Sequence, residues 1–97
     1  MLHVPKELTQ IDPLVWTNGH LWFDPTVRGR RRAWEIRLVG SDAGAEPVGW
    51  IRWHGLWREY VLRTRADYVF AHDCLSDISV LIRHLNQSHA WPLPVNA

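Results

Sequence analysis

From Ala33 to Arg63 apolar and polar residues alternate, and from about Asp73 the apolar spacing lengthens to that of a helix. Alternation puts successive side chains on opposite faces of a strand, whereas a period near 3.6 gathers them into one stripe of a helix. This order requires strands followed by a helix whose stripe covers one sheet face. In Ala33–Val39, Trp34, Ile36 and Leu38 share a face opposite Glu35, Arg37 and Val39. In Val48–His54, Gly49, Ile51 and Trp53 oppose Val48, Trp50, Arg52 and His54. Gly55 suits the left-handed position of a short loop. Trp57–Arg63 then returns, with Arg58, Tyr60 and Leu62 opposite Trp57, Glu59, Val61 and Arg63.

Upstream, Leu14–Thr17 and His20–Phe23 flank Asn18-Gly19, a strong signal for a type I′ hairpin. Asp24-Pro25 ends that run, and Thr26–Arg32 reads as a basic loop containing glycine. In the helix, Leu75, Ile78, Ile82 and Leu85, with Cys74 and Leu81 alongside, form the stripe. Asp73 is the expected N-cap, and Asp77 adds negative charge that suits the first turns. The expected fold is therefore α+β: a small antiparallel meander of three to five strands packed against one C-terminal α-helix. Its 97 residues make one domain. It divides into an arm (1–13), a hairpin (14–23), a three-stranded meander (33–63), a helix (73–88) and an extended tail (90–97). Trp34, Ile36, Leu38, Ile51, Trp53, Tyr60 and Leu62 are expected to meet the helical stripe. Tyr68–Phe70 is expected to add a short extended piece.

The Gly49-Trp50-Ile51-Arg52-Trp53 strand, the Trp57-Arg58-Glu59-Tyr60 strand and Cys74-Leu75-Ser76-Asp77-Ile78 carry a Gly-x-Ile-x-Trp, Trp-Arg-x-Tyr, Cys-Leu-x-x-Ile pattern. With Ile82-Arg83-His84-Leu85-Asn86, it resembles small proteins encoded by phages and mobile elements, across about residues 33–86. The resemblance implies interference with host defence, anti-CRISPR inhibition included, through binding rather than chemistry. It carries over no site residue.

Composition narrows the remaining choices. A formal charge of +1 excludes a polycation or an acidic nucleic-acid mimic, so electrostatic targeting must be local. A single cysteine, Cys74, excludes an internal disulfide, and no Cys/His spacing matches a structural zinc site. The sequence carries no long apolar run or recognisable secretory signal, which makes the cytoplasm of a bacterial host the expected location and a membrane partner unexpected. No glycine-rich phosphate loop, serine elbow or histidine–carboxylate set is present, so neither enzyme activity nor a catalytic, cofactor or metal site is expected. Cys74 beside the apolar stripe reads as a small buried hydrophobe rather than a nucleophile.

Two features invite a binding role. Arg28, Arg30, Arg31 and Arg32 lie within five residues and suit phosphates or carboxylates equally. The same residues could also serve as a solvated loop protecting a sheet edge. Seven of the eleven aromatic residues are tryptophan. Alternation assigns Trp34 and Trp53 to the helix side, Trp16, Trp22, Trp50 and Trp57 to the hairpin and opposite face, and Trp91 to the tail. The face carrying Trp50, Arg52, His54 and Trp57 could stack unpaired bases or form a protein hot spot. Alternatively, the 14–23 hairpin folds over it as a second core layer. The tail Trp91-Pro92-Leu93-Pro94 could dock into a partner as an extended peptide with an aromatic anchor, or fold back on its own domain, which is the favoured reading.

These readings favour a protein–protein inhibitor of a host defence complex, either a protein or a ribonucleoprotein such as a CRISPR effector. It would contact that complex through Arg28, Arg30, Arg31, Arg32, Trp50, Arg52, His54 and Trp57. It would act by steric occlusion or by competing for a surface that receives nucleic acid or a partner subunit. The alternative is a small nucleic-acid-binding module using the same residues. A sheet edge left open also allows a homodimer.

Overall fold

A computed structural model describes residues 8–12, 14–42 and 44–87. Six strands, β1 (Thr9–Asp12), β2 (Val15–Thr17), β3 (Leu21–Arg28), β4 (Arg31–Leu38), β5 (Gly49–His54) and β6 (Glu59–Thr64), precede one helix, α1 (His72–Gln87). The strands form a single antiparallel sheet in sequence order, which is the α+β meander with a C-terminal helix expected from the periodicity. It has six strands where three to five were expected. The 14–23 hairpin, with β1, extends the sheet edge and does not fold over a face.

Much of the added sheet lies in the segment read as a basic loop. β3 runs through Pro25 to Arg28 and pairs with β4 along its whole length. The Val39 N–H bond to the His20 carbonyl sets the ladder so that even-numbered residues of β3 face β4 with their backbone groups. The missing N–H of Pro25 therefore points to the other flank, where β2 pairs only as far as Trp16–Phe23. A proline there removes no ladder bond. Gly29 and Arg30 make the turn, with Gly29 at φ 62°, as a type II′ connection requires at its first position.

The other turns also differ from the simplest reading. Asn18 does not take positive φ, so no type I′ turn forms. Its Oδ1 instead accepts the His20 and Leu21 N–H groups at 2.9 and 2.7 Å, while Gly19 supplies the left-handed residue at φ 90°. Asn18 Nδ2 donates to Asp77 Oδ2 at 2.8 Å and approaches Cys74 Sγ at 3.8 Å, tying this turn to α1. In the Gly55–Arg58 turn the left-handed residue is Arg58 (φ 58°) and not Gly55. The return strand therefore starts at Glu59, leaving Trp57 in the turn. The Leu75 N–H bonds the Ala71 carbonyl and opens α1, so Asp73 sits inside the first turn and not at the cap.

One face of the sheet is covered by α1. Trp16, Phe23, Trp34, Ile36, Ile51 and Tyr60 are buried against Ile78, Leu81 and Leu85. Trp34 is central: its ring meets Trp16 and Tyr60 at centroid distances of 6.0 and 5.9 Å, and its Nε1–H donates to the Leu14 carbonyl at 2.7 Å. Trp16 thus belongs to the helix-side core and not to the opposite face. Trp53 and Leu62 are half-buried against this core, as are Tyr68 and Phe70, which are not a strand. Leu38 and Leu75, both expected inside, are 40% and 44% exposed. Leu38 closes β4 at the sheet end, and Leu75 lies in the first turns of α1, so the core contracts to the sheet centre. The arm residues 1–7 and the tail 90–97, Trp91 included, lie outside the described residues.

Two close fits fix α1 and β5. The Arg65 N–H bond to Val48 O turns the backbone groups of Tyr60 away from β5, toward the open edge. There Asn86 Oδ1 accepts the Tyr60 N–H at 2.6 Å and Asn86 Nδ2 donates to Tyr60 O at 3.3 Å, a side chain standing in for a missing strand. Asn86→Ala should cost about 1–3 kcal/mol in denaturant titration, because it leaves the amide of a buried residue unpartnered. Gly49 is buried, and a Cβ there would lie 2.9 Å from the Arg63 carbonyl oxygen. Gly49→Ala should cost about 1–3 kcal/mol by the same measurement, since the obstructing atom is backbone.

Candidate functional site

In a meander, the β3–β4 and β5–β6 turns fall at the same end of the sheet, because β4 starts where β5 finishes. The Arg28–Arg32 run and the His54–Glu59 turn, far apart in sequence, therefore become neighbours. Seven of the ten arginines collect there: Arg28, Arg30, Arg31, Arg32, Arg52, Arg58 and Arg63. Among the described residues none of the seven has a carboxylate within ion-pair distance. Arg37, further along the open face, contrasts with them: it meets Asp24 at 3.6 Å, Glu35 at 2.5 Å and the Ala45 carbonyl at 2.6 Å. Its charge is used internally.

The opposite end of the molecule is acidic. Asp42 and Glu46 sit in the β4–β5 connection, Asp67 follows β6, and Asp73 and Asp77 lie in the first turns of α1. Arg65 bridges Asp67 at 2.6 Å and Glu46 at 3.8 Å there. The small net charge thus hides a charge separation along the strands.

Individual side chains at the basic end are held by rings. The Arg31 guanidinium lies 3.9 Å from the Trp53 ring centroid, and that of Arg52 lies 5.1 Å from Trp50. Burial, then the nearby charges of Arg28 and Arg63, lowers the Arg52 pKa, and Glu35 opposes them. Burial likewise holds the Tyr60 hydroxyl above its ordinary value, against the charge and hydrogen bond of Arg31. The Nε atoms of Arg32 and Arg52 are buried without a hydrogen-bond partner among the described residues. Arg28, Arg31, Arg32, Arg52 and Arg63 line a cleft of about 320 Å³ with Trp53, His54 and Val61. A second cleft of about 380 Å³ shares His54, Val61 and Arg63 with it and extends past Trp57 to Thr64.

The β5–β6 turn is the apolar part of the site. His54 stacks on Trp57 at 4.4 Å and 20°, and its Nδ1 accepts the Trp57 N–H at 3.2 Å. Trp57 remains 64% exposed, and Leu56 beside it 84%. Trp50 is half-buried on the helix-free face, which no other described element covers. All eight residues singled out from the sequence, Arg28, Arg30, Arg31, Arg32, Trp50, Arg52, His54 and Trp57, lie on this end or the adjoining face. Arg58, Leu56 and the full reach of Arg63 were missed as contacts. The signal was available in the meander connectivity, which superposes the two turns.

Cys74 is half-buried, packed against the core and within reach of Asn18. Among the described residues no three His, Cys, Asp or Glu side chains are grouped to hold a metal ion, and no helix is long and apolar enough to cross a membrane. No protein-family model, curated protein or solved structure matches this chain.

Proposed function

We propose that this is a non-enzymatic binding protein whose basic end docks on an anionic surface of a macromolecular partner. The observation that carries the reading is the collection of seven arginines at one end, none of them in an ion pair among the described residues. Cations held this close repel one another, and the cost of keeping them is offset when a partner supplies negative charge. Trp57 and Leu56 at the same end add the exposed aromatic and aliphatic surface typical of hot spots.

The resemblance to phage and mobile-element proteins supplies the partner class: a host defence complex, protein or ribonucleoprotein, blocked by occlusion. The sign of the charge selects among mechanisms. A competitor for a surface that receives nucleic acid would itself be acidic, whereas this face is basic. It suits an acidic subunit surface or the nucleic acid the complex carries.

The test compares the native chain with Arg52→Glu/Arg63→Glu. The native protein should co-purify with a complex from defence-bearing cells and raise phage plating on them, and the double variant should do neither. Equal plating and equal retention by both proteins would overturn the proposal.

A further inference from the structure

We infer that the basic end takes single-stranded nucleic acid, with phosphates in the arginine cleft and an unpaired base on the free face of Trp57. This rests on reading that end as the docking surface and names what docks there. Three observations favour a nucleic-acid strand over an acidic protein. First, Arg28, Arg31, Arg32, Arg52 and Arg63 line one cleft, and none of them is in an ion pair among the described residues. A chain of phosphates brings closely spaced charge with several acceptor oxygens per group, which such forks suit. Second, the arginine cleft adjoins the cleft beside Trp57, since both are lined by His54, Val61 and Arg63, so a backbone laid along them would run from the arginines to Trp57. Third, one face of the Trp57 ring is already covered by His54, and the residue is still 64% exposed. A flat aromatic surface braced from behind is what base stacking uses, and a carboxylate has no use for it. A duplex keeps its bases stacked on each other and would leave Trp57 idle.

The experiment uses the full chain with labelled oligothymidylate and oligouridylate, a duplex, poly-glutamate of matched charge, and phosphatidylserine vesicles. Single strands should bind at about 50 mM salt and weaken by roughly 50- to 130-fold at about 200 mM, as expected for four or five phosphate contacts. Trp57→Ala should weaken single-strand binding by about tenfold, the scale of one lost stack, and leave poly-glutamate binding unmoved. Trp57→Tyr should retain most of the affinity. Trp57 is outside the core, and an unchanged melting temperature will show that the variants remain folded.

If poly-glutamate binds as tightly as the single strands and Trp57→Ala changes neither, this inference falls and an acidic protein partner stands. Tighter duplex binding, unmoved by Trp57→Ala, likewise overturns the single-strand inference alone. Retention only on vesicles, or no polyanion bound at low salt, would overturn both this inference and the docking surface beneath it.

Discussion

Trp34→Ala should unfold much of the population at temperatures where the native protein is intact. Trp34 is completely buried, and truncating a buried tryptophan costs about 3–5 kcal/mol. A domain of this size holds only about 5–15 kcal/mol in total. The loss should appear as a fall of roughly 15 °C or more in the melting temperature. The reason is specific to the site. The ring touches Trp16 and Tyr60, so one cavity would loosen β2, β4 and β6 together. Its Nε1–H also satisfies the carbonyl of Leu14, a non-glycine residue held at φ 74°. Trp34→Phe separates the two contributions: it keeps much of the volume and loses the donor, and should cost about 1–2 kcal/mol. A melting temperature unchanged by Trp34→Ala would show that the core does not rest on this ring.

Reversing Arg52 and Arg63 should have the opposite profile, with a large loss of binding and little change in stability. Hydrogen bonds to charged groups contribute about 1.5–3 kcal/mol each, so losing two should weaken an anionic partner by at least about 100-fold. Folding should change by no more than about 0.5 kcal/mol. At Arg52 burial, then the repulsion of Arg28 and Arg63, outweighs the attraction of Glu35, so the free protein loses little when its positive charge is removed. The pair of measurements distinguishes a docking surface from a structural cluster. If the fold collapses with the charges, Arg52 and Arg63 are structural; if both stability and binding are retained, the partner meets the protein elsewhere.

The alternation from Ala33 to Arg63 and the helical stripe after it were sufficient to read the architecture, because one side of each element is buried. The contributions of β1 and the far half of β3 were harder to see. Pro25 argues against a central strand unless its missing N–H is known to face an unpaired flank, and that depends on how short β2 is. Asn18 illustrates the same limit. Its residue type signals a turn, but its side chain is committed to the turn amides and Asp77, a partner 59 positions away. For the site, the residue types were legible and the grouping was only half so. Whether the hairpin covers Trp50 and Trp57 or extends the sheet is decided by tertiary packing of Trp16, which looks the same in sequence either way. Trp50 and Trp57 remain uncovered because Trp16, Leu21 and Phe23 bury themselves on the helix side and carry the hairpin into the sheet plane.

The charge separation between the two ends of the sheet also has a kinetic side. A nearly neutral protein feels little net pull toward a polyanion, yet its two ends feel opposite forces, and the resulting torque turns it before contact. Encounters with the proposed anionic partner should then begin with the arginines leading and the Asp42–Glu46 end trailing, which would raise the fraction of productive collisions. The on-rate should therefore rise at low ionic strength, where the separation acts over a longer range, in a chain whose total charge alone would predict almost no dependence.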